Sequence, residues 1–424
     1  MSLMGLLSLI ELNAKAQNGS WTVYDTRSSD ICGNNISAIA ADAKGVWAGT
    51  YQGLCRMTGA SWMDYSMFNE KLKDQSVNCL MIDARGILWI GTDDHGVIEW
   101  DGTNWTEHTD ITRRLKMKFV KEIVIDQDGL VWIGVTLGGL VTYDGSNWDK
   151  YTPDDCELLS DFVLDIAVDR ANRKWVTTNA GISVFNGTRW TSYTTSNSGL
   201  PDNIVPAIVI DKDNVKWFGT LSGLVRYDGS KWTVWDTRNS PLPSDQVNDI
   251  AIDENGLLWI ATNGGAAVFD GVDNWVSFTP KNSLIPAGNI YKVACNGKGT
   301  VWFGNDAKGL AKLSGFRMPT RDLAANDNPT TNRSSNHDVQ EPVNVGPSDE
   351  KVRINPHLED GYITISFESP SATVTFINKD GKVVKTAENY TNNQRIKINR
   401  MPRGMYTVSV KTVRGEKKIK FNLK

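Results

Sequence analysis

Residues 247–278 read VNDIAIDENGLLWIATNGGAAVFDGVDNWVSF and divide into four short apolar stretches, Val247 to Asp253, Leu257 to Thr262, Ala266 to Phe269 and Trp275 to Phe278. Turn residues separate them: an Asp-led turn ending in Gly256, a Gly-Gly pair, and Asp270-Gly271. Apolar runs of this length between such turns are strands, and Asp-Gly is a strong two-residue hairpin signal. The stretch is therefore a four-stranded antiparallel unit, and its two tryptophans date every copy of it along the chain. Trp47, Trp89, Trp132, Trp175, Trp217, Trp259 and Trp302 stand 42 or 43 residues apart, and Trp21, Trp62, Trp105, Trp148, Trp190, Trp232 and Trp275 keep step with them. A fixed period of roughly 40 to 50 residues marks a propeller or a solenoid, and four strands per period is the content of one propeller blade.

Each unit's first strand ends in Asp or Asn, and the residue three further on is Gly or Asn: Asp42 to Gly45, Asp83 to Gly86, Asp126 to Gly129, Asp169 to Asn172, Asp211 to Asn214, Asp253 to Gly256 and Asn296 to Gly299. Gly and Asn tolerate positive φ, while the leading side chain can accept hydrogen bonds from the turn backbone. The register at the two ends is informative. Asn18-Gly19-Ser20-Trp21 repeats a turn and outer strand with no unit ahead of it, whereas the last unit reaches Met318 where its outer Trp is due. The expected fold is all-β: a seven-bladed β-propeller over 18–315 whose seventh blade is closed by 19–25, followed by a small immunoglobulin-like β-sandwich. Fourteen of the sixteen tryptophans belong to the two rings, and Trp100 and Trp235 take slots filled elsewhere by other aromatics, so the indoles are assigned to packing between blades.

The net charge of −4 conceals an asymmetry: residues 351–424 carry 15 Lys/Arg against 6 Asp/Glu, which leaves −13 on the rest. An acidic body argues against a nucleic-acid partner. Cys32, Cys55, Cys79, Cys156 and Cys295 show no metal-binding spacing; Cys55, Cys79 and Cys295 fall in strands as small apolar fillers, and a loop-to-loop Cys32–Cys156 bridge is conceivable. The run Leu3 to Ile10 followed by Ala14-Lys15-Ala16 reads as a signal peptide over 1–17, and no other segment has the length of a membrane span. Residues 316–350, rich in Asn, Asp, Pro, Ser and Thr, read as a flexible linker, and alternation resumes in 351–424.

The phrases Leu88-Trp89-Ile90-Gly91-Thr92, Val131-Trp132-Ile133-Gly134 and Lys216-Trp217-Phe218-Gly219-Thr220, the last followed by Gly223-Leu224-Val225-Arg226-Tyr227-Asp228, resemble the two-component regulator propeller repeat. That family is best known from periplasmic sensor regions of hybrid histidine kinases that respond to polysaccharide fragments. With no membrane span and no room for a kinase here, signalling across a membrane is not carried over. The C-terminal segment resembles the type IX secretion sorting domain through Asn355-Pro356, Gly361, the run Phe376 to Val384 with Asp380-Gly381-Lys382, and Met401 to Tyr406 with Gly404 and Tyr406. This resemblance implies export through the periplasm, recognition by the secretion machinery, and release or attachment at the outer cell surface.

Function on a propeller is sought on loops. The connections between units and the turns between second and third strands share one face, where Tyr51, Gln52, Asp93, Asp94, His95, Arg113, Arg114, Asp306 and Lys308 depart from the repeat. They are the candidate ligand-binding residues. On the inner strand, Glu122, Asp165, Asp249 and Lys292 would make a polar, mostly acidic channel mouth if they face inward. Asp126-Gln127-Asp128-Gly129 mimics the start of a calcium loop, yet other units lack the ligands, so no metal and no cofactor are expected. Phosphate loop, nucleophile elbow and H-E-x-x-H motif are all missing; among four histidines only His95 stands in a plausible site. The expected function is a secreted or cell-surface propeller binding a glycan or protein on its loop face. The alternatives are a propeller lyase or hydrolase acting on a carbohydrate or small molecule, since streptogramin lyases also use a seven-bladed ring with a catalytic His, and a structural adhesion scaffold.

Overall fold

The computed structural model describes residues 19–42, 44–108 and 118–319, together with the strand-forming stretches between 353 and 423. The chain divides into two compact units, Met1–Ala324 and Ala325–Lys424. In the first, seven sheets of four antiparallel strands form a seven-bladed propeller. Their inner strands are Ile36–Asp42, Val77–Ile82, Val120–Ile125, Val163–Val168, Ala207–Ile210, Val247–Ile252 and Ile290–Cys295. Six blades are continuous in sequence, whereas the seventh takes its outer strand from the N-terminal side of the chain. Ser20–Tyr24 pairs antiparallel with Leu310–Ser314, in register Trp21 opposite Leu313. The ring thus has no free strand edge between its ends.

The repeated motif reads directly as packing. The second-strand tryptophans, Trp47 through Trp302, are at most 5% exposed. In five blades a glycine stands two residues after this tryptophan, with Thr177 and Ala261 in its place in blades four and six, and it permits close approach: a Cβ on Gly134 would stand 2.6 Å from Cγ1 of Val163, and one on Gly219 2.7 Å from Cγ1 of Val247, each the first residue of the next blade's inner strand. The following threonines, Thr50, Thr92, Thr178, Thr220 and Thr262, are fully buried and donate to the carbonyls of Gly53, Gly96, Gly181, Gly223 and Gly265, closing the turn to the third strand.

The Asp-led turns do more than hold backbone. Asp253 Oδ1 accepts the N–H groups of Asn255 and Leu257 while Oδ2 accepts Trp259 Nε1 at 3.0 Å, and Asp126, Asp169 and Asp211 do the same for Trp132, Trp175 and Trp217. These four buried indoles thereby find the partner their N–H groups require, whereas Trp62 Nε1 has none among the described residues. The signal was present in the sequence as an Asp six residues before Trp.

The outer tryptophans differ from expectation. Trp62 is buried, but Trp21, Trp105, Trp148, Trp190, Trp232 and Trp275 are only half-buried, because the fourth strand is the outer edge of its sheet. Each stacks across the hairpin on a third-strand aromatic where one exists: Tyr143–Trp148 at 4.2 Å, Tyr227–Trp232 at 4.3 Å and Phe269–Trp275 at 3.9 Å. The aromatic ending each fourth strand then meets the next blade's tryptophan, as in Tyr193–Trp232 and, through the closure strand, Phe278–Trp21 and Tyr24–Trp62.

The cysteine pairing is corrected by the structure. Cys32 is disulfide-bonded to Cys55, with Cα atoms 5.9 Å apart, and not to Cys156, whose thiol donates to the Thr152 carbonyl. The connection leaving the closure strand runs over blade one, which places Cys32 beside the third strand Gly53–Thr58.

The second unit contains two antiparallel sheets. Tyr362–Ser366 pairs with Arg353–His357 and with Ile396–Lys397; Ala372–Asn378 lies between Val383–Tyr390 and Gly404–Thr412, and Gly415–Leu423 pairs with Gly404–Thr412. Alternate residues Ala372, Val374 and Phe376, with Tyr406, Val408 and Val410 opposite, are buried, the period-two pattern of a half-buried sheet. The expected signal peptide over 1–17, most of the expected linker, and Gly361, Asp380 and Gly381 lie outside the described residues.

Candidate functional site

Strand direction places the blade-to-blade connections and the second-to-third turns on one face of the ring. Among the described residues, the exposed large apolar side chains concentrate there: Tyr51, Met67, Phe68, Phe119, Leu137, Ile204, Leu284 and Tyr291. Two of these bulky residues are held at positive φ, Phe119 at 61° and Leu137 at 59°. Such strain persists only where surrounding structure imposes it. Here Phe119 donates to the Asp93 carbonyl and accepts from Thr136, so the entry to blade three is pinned to turns of blades two and three. Leu137 also borders a 410 Å³ cavity with Lys150, Asp154 and Asp161.

The candidate residues fall on three successive blades. Tyr51 and Gln52 form the blade-one turn, Asp93, Asp94 and His95 the blade-two turn, and Asp306 and Lys308 the blade-seven turn. Arg113 and Arg114 lie outside the described residues. Their roles separate on inspection of partners. Asp93 Oδ1 accepts from Asn78 Nδ2, and Asp306 Oδ2 from Asn289 Nδ2, so both acids tie the turn to the start of their own inner strand. Ser160–Asn179 and Asp202–Ser222 are the same latch in blades four and five. The Asp306 carbonyl also accepts from Asn35, joining blade seven to blade one. Asp94 makes an exposed ion pair with Lys118 at 2.7 Å, a type of contact worth at most about 1 kcal/mol. The His95 backbone N–H is held by Thr92 Oγ1, and its ring has no hydrogen-bond partner among the described residues. Tyr51 is 55% exposed.

The third residue of each inner strand faces the central channel, as expected of Glu122, Asp165, Asp249 and Lys292, and with Cys79 these line a cavity of 230 Å³ near the loop face. A bulge recurs one residue earlier, between Val120 and Glu122, Val163 and Asp165, and Val247 and Asp249, which turns these side chains inward. Asp165 accepts the Ile208 N–H and Asp249 the Val293 N–H, each from the following blade. Burial, opposed by Lys292 and reinforced by Asp249, raises the Glu122 carboxyl to about 6. Burial and Glu122 push Asp165 well up, and burial outweighs Lys292 in raising Asp249. Burial alone would lower Lys292, yet the Asp249, Glu122 and Asp165 carboxylates hold its ammonium above the usual range. Burial together with Lys292 lowers Lys121. Lys292 is 24% and Asp249 13% exposed. Among the described residues no group of three His, Cys, Asp or Glu could hold a metal ion, and Asp126 of the calcium-like sequence is committed to Trp132 and Lys174.

The sequence did not reveal the ion pairs between blades. Lys174 Nζ lies 2.7 Å from Asp126 of the preceding blade, and Lys216 Nζ 3.6 Å from Asp169, with all four side chains no more than 6% exposed. Each ammonium also sits over the preceding blade's tryptophan, 5.0 Å from Trp132 and 5.1 Å from Trp175.

Residues 71–94 and 241–264 match the two component regulator propeller family, and residues 355–424 match the secretion system C-terminal sorting domain. The sorting domain implies export to the cell surface or release, and dependence on the secretion machinery. Within it, Asn355 and Pro356 lie on one strand, Gly404 and the buried Tyr406 on another, and Lys382 donates its N–H to Asn378 Oδ1. Among the described residues no helix is long and apolar enough to cross a membrane. No curated protein sequence matches the chain. Among solved structures, the extracellular domain of a hybrid two-component system from B. thetaiotaomicron is similar with a TM-score of 0.63 and 19% identity, over 95% of this chain and 57% of that one. PorZ, a surface component of the type IX secretion system of Porphyromonas gingivalis, is similar with a TM-score of 0.57 and 17% identity, over 95% and 60%. Virginiamycin B lyase from Staphylococcus aureus gives 0.57 and 16% over 70% and 99%. The chain thus spans well under two thirds of the first two proteins, and at these identities the likeness is one of fold.

Proposed function

We propose that this protein is a secreted or surface-displayed binding module whose propeller holds a glycan or protein ligand on its loop face. The observation that carries the reading is the concentration of exposed apolar side chains on that face, two of them on strained backbone, around a polar channel mouth. Exposed apolar side chains gathered on one face beside polar groups are a usual mark of an interaction site. The sorting domain is consistent with a partner met outside the cell.

The test is a glycan array and a pull-down from surface extracts with the full chain, repeated with Tyr51→Ala combined with Leu137→Asp. Both side chains are exposed, so the fold should survive. Capture lost in the variant at unchanged melting temperature supports the reading, and capture that survives it assigns the ligand elsewhere. Lyase chemistry would instead call on His95, whose flanking Asp93 and Asp94 are engaged by Asn78 and Lys118. Turnover abolished by His95→Ala without loss of stability would favour that reading.

A further inference from the structure

One cavity stands away from the loop face. It is a 500 Å³ cleft on the circumference, between the outer parts of blades five and six. Its lining includes Trp235 and Trp275, both half-buried, with Asn239 and Pro241 on one side, Val272 and Asn274 on the other, and Met318 at the end. The volume lies within the roughly 300 to 1,000 Å³ typical of small-ligand sites.

One residue sets this blade interface apart. The aromatic that ends the fourth strand is Tyr151 in blade three, Tyr193 in blade four and Phe278 in blade six, but Trp235 in blade five. Trp235 packs on Trp217 and Phe269, and Trp275 stacks on Phe269 at 3.9 Å, so both indoles are fixed from the protein side. Phe316 packs on Trp259 and Phe278, which leads the chain back across blade six and sets Met318 as a wall. The amides are also fixed. Asn239 Nδ2 donates to the Val234 carbonyl and its Oδ1 accepts from Asp236, while Asn274 Nδ2 donates to Asp270 Oδ2. Each amide nitrogen retains a second hydrogen and each amide oxygen a second lone pair.

We infer that this cleft is a carbohydrate subsite for an uncharged pyranoside chain, separate from the loop face. The carbon-bound hydrogens of a pyranose face carry partial positive charge and suit the negative face of an indole. The fixed amides can bond ring hydroxyls at little ordering cost. Among the described residues no cationic side chain lines the cleft, which disfavours phosphorylated or uronic sugars.

The inference is tested by saturation-transfer NMR on the full chain with neutral gluco-, manno-, xylo- and galacto-oligosaccharides at millimolar concentration, and with oligogalacturonate as the anionic arm. At least one neutral series should bind. Val272→Arg, at an exposed position on the rim, should weaken it by roughly tenfold or more at unchanged melting temperature, and Trp275→Ala should do the same in molecules shown to be folded. Tyr51→Ala with Leu137→Asp should leave it intact, which separates this site from the loop face. No binding by any neutral series, preference for oligogalacturonate, or binding indifferent to Val272→Arg would overturn the inference.

Discussion

Asp253 and its counterparts show how one carboxylate can organise a blade, because a single side chain accepts two turn N–H groups and one indole N–H. Replacing Asp253 with Ala leaves the Trp259 N–H buried without its acceptor, so a loss of about 3 kcal/mol is expected by denaturant titration. Glu122 behaves in the opposite sense. Its carboxyl rises from 4.5 in the unfolded chain to about 6 in the folded one, so its ionised form opposes folding. That penalty is absent below pH 4.5 and fully present above about pH 6. Glu122→Gln should therefore stabilise the propeller by at most about 2 kcal/mol above that window, and the gain should fade as pH is lowered through it. A stability difference independent of pH would contradict this account.

Between elements, adjacent blades are joined by apolar interdigitation and by the two buried ion pairs. Removing one partner of such a pair strands a charge, which typically costs about 3 to 5 kcal/mol, whereas replacing both can be neutral. Lys174→Leu should thus be strongly destabilising, whereas Lys174→Arg, which keeps a cation beside Asp126, should lose less. The equivalent positions before Trp89, Trp132 and Trp259 are Leu88, Val131 and Leu258. A leucine is therefore sterically acceptable in this slot, and the cost of the Lys174→Leu variant lies in the charge left behind. Thermal melts of the Lys174→Leu and Lys174→Arg variants distinguish charge from packing.

Across the whole propeller, one strand decides whether the ring is closed. Ser20–Tyr24 supplies the fourth strand of blade seven and the Trp21 and Tyr24 rings that contact blades six and one. Deleting residues 18–25 should expose an edge and produce strand-exchanged oligomers or unfolded chain on size exclusion. The Cys32–Cys55 disulfide anchors the segment that follows to blade one. Cys32→Ser with Cys55→Ser should lower stability by roughly 2 to 4 kcal/mol, and reductant should lower the melting temperature of the parent but not of this variant. Removing 355–424 should leave the propeller folded yet retained in the periplasm, as read by cell fractionation.

Blade number, strand content and the sorting domain were legible in the sequence because each is written locally, in alternation, turn chemistry and a period that repeats within every unit. The partner of Cys32, the Lys174–Asp126 and Lys216–Asp169 pairs, the half-exposed outer indoles and the latching of Asp93 and Asp306 were not. Each depends on which surface of one blade meets the next, or on where a connection crosses. Periodicity states that the units are equivalent; only closing the ring sets the distances between them, and those distances decide which charges are paired, which aromatics are covered and where a cleft is left open.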